Sequence, residues 1–133
     1  MAKTLFRKFG RDENGGATIE AVLWLPLMLS FFVMLLDAAM IFTNHSRAVR
    51  IVQDANRAYA VGAFTDCTAA ASWVQDRVRT IAPTATAACD RSAGVSTLDV
   101  SMPSRELDLS GATGVFGGLT VVARSQHFIE IGS

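Results

Sequence analysis

Four residues of this sequence carry chemistry that their surroundings make unusual. Glu20 and Asp37 are carboxylates at the start of and within a long apolar run, and Cys67 and Cys89 are the chain's two cysteines. A carboxylate in such a run is costly to bury unless it meets a cation or reaches polar headgroups. Two thiols in an oxidising compartment close one disulfide, which stabilises a small domain by roughly 3 kcal/mol in the chain-entropy picture. In a reducing compartment they would remain isolated thiols. Their spacing fits no zinc motif, because no second cysteine pair and no histidine cluster completes a site. His45 and His127 have no carboxylate or cysteine at ligand spacing and read as ordinary surface or interface residues. The nucleophile and phosphate motifs are missing: there is no Gly-x-Ser-x-Gly, no P-loop and no Cys-x-x-Cys. The sequence therefore implies no catalysis, no cofactor, no metal and no small-molecule substrate.

The elements around these residues explain their setting. The chain has 133 residues, 50% of them hydrophobic and 18% charged. The apolar excess is concentrated between Ala21 and Phe42, where Asp37 is the single ionisable residue. Residues 21–40 as a helix rise roughly 30 Å, the thickness of a bilayer core and long for a buried helix in so small a protein. Lys3, Arg7, Lys8 and Arg11 precede the run, partly offset by Asp12 and Glu13, which keeps the N-terminus on the cytoplasmic side. Arg47, Arg50 and Arg57 beyond the run reduce that asymmetry. The formal net charge is zero, so nothing argues for a nucleic-acid partner.

Residues 1–15 read as a basic leader ending in Asn14-Gly15-Gly16, and helix is expected from about residue 17. Pro26 frees the Val22 carbonyl and is expected to bend the span, taken as residues 20–42. Beyond it, Ala48, Ile51, Val52, Ala55, Tyr59 and Gly62 make one apolar stripe, with Arg47, Arg50, Asp54 and Arg57 on the other face. No breaker intervenes, so one helix to about residue 63 is expected, its upper half covered by the head or by another subunit. A second helix over 68–82, capped by Asp66 or Thr68, presents Ala70, Val74, Val78 and Ile81. Trp24 and Trp73 read as packing residues. Residues 83–94 read as loop. Leu98, Val100 and Met102 alternate as in a half-buried strand, Gly111 to Gly118 mark a flexible connection, and residues 119–131 complete an antiparallel hairpin. The fold class is α+β: a leader (1–15), a long N-terminal helix (16–64) and a small α+β head (65–133).

The junction at Gly15-Gly16-Ala17-Thr18-Ile19-Glu20 is the most informative stretch. A glycine, four small or apolar residues and a glutamate opening an apolar helix is the arrangement that prepilin peptidases process. A small residue at the cut lets an extended leader enter an intramembrane active site. Cleavage after Gly15 would make Gly16 the new N-terminus, and its amine on one subunit can neutralise Glu20 of a neighbour, fixing register. The plainer reading holds Glu20 at headgroup level, favouring the helix N-terminus. The basic leader and the bilayer-length run behind it favour the first. Asp37 lies about 25 Å further along the helix. It either reaches the outer headgroups or pairs with a basic residue of a partner span.

Residues Arg11 to Leu27, read with this junction, resemble the N-terminal signature of the TadE/TadF-like pseudopilins, with Gly15, Glu20 and Pro26 the most specific elements. The resemblance covers roughly residues 9–60. It implies a minor pilin of a tight-adherence (Flp) type IV pilus, too long for the major pilin of such a system. It also implies partners: a prepilin peptidase, other pilins and pseudopilins, the inner-membrane assembly platform and the lipid bilayer. The implied place is the bacterial inner membrane, single-pass, with a periplasmic head and a possible route into an extracellular, adhesive fibre. Two other readings share parts of the pattern. One is an uncleaved anchor that keeps residues 1–15. The other is a secreted protein with a signal removed before Met40, which an apolar run of this length and Asp37 near the cut both disfavour.

Overall fold

The computed structural model describes residues 16–109 and 116–129. The leader with Gly15, Gly111 and Gly114 of the glycine-rich connection, and Glu130 and Ile131 of the expected last strand lie outside the described residues. The protein is α+β, with helix α1 (Gly16–Ala60), helix α2 (Cys67–Val78) and strands β1 (Thr86–Ser92), β2 (Val95–Pro103) and β3 (Thr120–Phe128). A 3-10 turn, Ser104–Glu106, follows β2. The chain divides into two compact units, one ending at Met34 and one beginning at Leu35.

In the first unit, α1 is apolar all round and its side chains are solvent-exposed over almost the whole length. α1 is the one helix among the described residues long and apolar enough to cross a membrane. Pro26 sits inside α1, and the Ser30 hydroxyl donates to the Pro26 carbonyl at 2.8 Å. Such a bond satisfies a hydroxyl that lipid could not.

In the second unit, α1 ends in a glycine cap. Gly62 has φ +82°, its N–H donates to the Tyr59 carbonyl at 3.0 Å, and the Ala63 N–H donates to Ala58 at 2.9 Å. This paired pattern satisfies the last carbonyls and needs a left-handed residue, which glycine supplies without a Cβ penalty. α2 begins at Cys67 because the Asp66 side chain accepts the Ala69 N–H at 2.6 Å. It stops at Val78, short of the expected residue 82, and the next residues continue as turns in which Ile81 and Ala82 N–H both donate to the Val78 carbonyl at 2.8 Å.

The sheet has the order β1-β2-β3, antiparallel throughout. β2 alternates strictly, with Ser96, Leu98, Val100 and Met102 buried. Leu98, Val100 and Met102 pack with Ala48, Val52 and Ala55 of α1, Ala71, Val74 and Val78 of α2, and Ala123 of β3 in one core. The upper half of α1 is thus covered by the chain's own head. The expected hairpin is one strand short: residues 86–92, read as loop, form β1, paired from Thr86↔Ser101 to Ser92↔Val95. β1 has one β-branched residue, Thr86, so its propensity is weak and its place comes from tertiary pairing. The turn to β2 puts Ala93 at φ 50° and Gly94 at φ 78°. Both positive values suit a two-residue hairpin turn, but alanine at the first is an uncommon signal for one.

Glu106 ties the turn before β1 to the 3-10 turn after β2. Its carboxylate accepts the Thr84 hydroxyl at 2.5 Å and the Thr84 N–H at 3.0 Å. The hydroxyl bond first, and then the backbone bond, hold its pKa below the ordinary carboxylate range. A depressed folded pKa gives stability that is complete above the unfolded value and is lost as pH falls through the folded one. Glu106→Gln should therefore reduce the acid-side loss of head stability, measured by urea midpoints taken from neutral pH down to about pH 3.

Candidate functional site

The face of α1 that meets the head begins earlier than the apolar stripe suggests. Asp37, Ile41, Asn44, Ala48, Val52, Ala55 and Tyr59 recur at helical spacing on one side. Of these, Asp37, Ala48, Val52, Ala55 and Tyr59 are buried and the other two half-buried.

Three polar side chains on or beside this face hold backbone groups of the head. Asp37 is fully buried, and its Oδ1 accepts the Leu109 N–H at 3.3 Å. Asn44 Nδ2 donates to the Leu107 carbonyl at 3.0 Å. His45 Nε2 lies 3.3 Å from the Val122 carbonyl on β3. Asp37 is thus enclosed on α1 and holds the backbone of the head at Leu109. That covering was hidden from the sequence, because the flanking residues of α1 are apolar on every side and no stripe stands out. Asp37→Ala should destabilise the head by about 1–3 kcal/mol by orphaning a backbone donor, with Asp37→Asn costing less because an acceptor remains. Urea unfolding of the detergent-solubilised protein reads both. An unchanged midpoint in the alanine variant would assign Asp37 a role outside the head.

One turn above Val52, Asn56 is buried and forms a network that sequence reasoning missed. Its Nδ2 donates to the Ser96 carbonyl at 3.3 Å and to Ser125 Oγ at 3.4 Å. Its Oδ1 accepts the Ser96 hydroxyl at 2.6 Å. The group joins α1 to β2 and β3 at once. Its sequence signal was position, since Asn56 falls four residues after Val52 and eight after Ala48 on the apolar stripe.

Cys67 and Cys89 form a disulfide with Cα atoms 5.5 Å apart, closing 22 residues of chain and tying the start of α2 to β1. Trp73 packs edge-on against Phe64 with ring centroids 5.9 Å apart, and the Arg77 guanidinium lies 4.1 Å over its ring. His127 lies at the end of β3 in a shallow polar groove with Arg57 and Arg124, away from His45. No group of three or more metal-ligating side chains occurs among the described residues.

In the first unit, Glu20 is exposed on α1, one turn after Gly16, with Pro26 less than two turns beyond it. Glu20 and Pro26 belong to the first unit and the disulfide to the second. The N-terminal part of this chain is TadE-like: residues 15–57 match the family model of TadE-like proteins. The TadE-like segment opens on Gly15 and runs into the upper half of α1, ending before the glycine cap. It leaves α2 and the sheet outside the match. No curated protein and no solved structure matched the chain. With one long apolar helix among its described residues, the chain is compatible with a single-pass membrane anchor.

Proposed function

We propose that this chain is a minor pilin-like subunit of a tight-adherence pilus. In this reading α1 holds it in the bacterial inner membrane, with the cysteine-stapled head in the periplasm. A prepilin peptidase removes residues 1–15, and the chain then acts with other pilins and the assembly platform. The observation that carries the reading is that the TadE-like match opens at Gly15, directly ahead of a helix with an exposed, bilayer-length apolar surface. The disulfide adds support for an oxidising location.

The work is assembly rather than catalysis. The exposed surface of α1 is available to lipid and to neighbouring helices, and Glu20 is its one acidic group before Asp37. A carboxylate there is costly in lipid and is relieved by an α-amine at Gly16 of the next subunit. Two substitutions separate processing from assembly. Gly15→Leu should block leader removal, seen as a retained slower band on immunoblots. Glu20→Ala should leave cleavage intact while lowering the yield of sheared pili. Normal piliation in both variants would reject the proposal.

A further inference from the structure

We propose that the head rests on the outer leaflet through an apolar rim formed by Phe42, Leu109, Leu119 and Val122, so that the membrane contact is wider than the helix. The inference depends on the reading of α1 as a membrane span.

These four side chains are exposed at 71%, 63%, 58% and 46%, an unusual set for the surface of so small a head. The head is held to α1 at Asp37 and, about two turns on, at Asn44 and His45. The Leu109 N–H is held by Asp37, the Leu107 carbonyl by Asn44, and the Val122 carbonyl by His45, one turn after Phe42. Leu119 joins the group through Ser104, whose N–H and hydroxyl each lie 3.0 Å from the Leu119 carbonyl.

A span of about 20 residues that starts near Ala21 ends near Met40, the turns of α1 to which this loop is pinned. Leu35 and Leu36, exposed on the same stretch of helix, continue the apolar surface directly into the rim. Charged residues on α1 resume only at Arg47. Of the charged residues in the 3-10 turn and the two residues after it, Glu106 is engaged by Thr84, Asp108 is half-buried, and Arg105 is exposed and suits lipid phosphate. That continuity with the span makes lipid the occupant.

The test uses the full-length protein in vesicles of phosphatidylethanolamine and phosphatidylglycerol, with its native disulfide intact. Leu109→Cys, Leu119→Cys, Phe128→Cys and Leu29→Cys each carry a nitroxide in turn. Phe128 is 78% exposed at the other end of β3 from the rim and serves as the aqueous reference. Collision with oxygen, which concentrates in lipid, is compared with collision with a water-soluble nickel chelate. The oxygen-to-nickel ratio at 109 and 119 should exceed that at 128 by several fold and stay below that at 29. Ratios at 109 and 119 equal to that at 128, with a lipid-like value at 29, would overturn the rim and leave the span standing. An aqueous value at 29 would instead remove the membrane reading itself. Labels at 109 and 119 shielded from both reagents would overturn the lipid contact by assigning the rim to a second copy.

Discussion

Replacing Cys67 and Cys89 together by serine should lower the unfolding free energy of the head by about 3 kcal/mol, the entropy of closing a loop of this length. The effect is large because of what the bond holds. β1 lies at the edge of the sheet, pairs on one side only and has little strand propensity of its own. The disulfide fixes the middle of β1, at Cys89, to the first residue of α2. Without it, β1 should become the first part of the head to open, with amides of residues 86–92 exchanging faster than those of β2. Urea unfolding and hydrogen exchange of oxidised and double-serine protein in detergent test both parts. Equal midpoints would mean that pairing with β2 alone secures the strand.

The second large effect is expected at Asn56, where alanine should cost about 2–4 kcal/mol by removing a hydrogen-bonded side chain from a packed site. Asn56 is buried, and its amide serves Ser96 and Ser125 on two neighbouring strands. Truncation leaves those groups short of partners in a place water does not reach. Replacing all three members, as Asn56→Leu with Ser96→Ala and Ser125→Ala, should recover much of the loss, because no buried polar group is then orphaned. The loss of near-ultraviolet dichroism from Trp73 during urea titration follows the transition. If the single and triple variants unfold together, the network contributes packing and not polar complementarity.

These residues show how far the sequence reaches. The apolar run, the amphipathic upper half of α1, α2 with its Asp66 cap and the alternation of β2 were all legible, because each rests on local chemistry or on a strong period. β1 was not, since its residues carry no strand signal and its turn uses Ala93 where asparagine or glycine would announce a hairpin. The docking face at Asp37 and Asn44 was hidden for a different reason. In a helix that is apolar all round, a polar residue reads as a membrane group, and only the folded head reveals that it answers a backbone donor or acceptor. Asn56 was masked by its polarity on a stripe that the core in fact shares.

On the proposed function, this chain is processed like a pilin. Intact-mass and N-terminal measurement of the membrane-extracted protein, from cells with and without the prepilin peptidase, tests it most directly. A chain beginning at Gly16 is expected when the peptidase is present and one retaining residues 1–15 when it is absent. Retention of residues 1–15 in both would contradict it and leave a plain single-pass anchor with a stapled head.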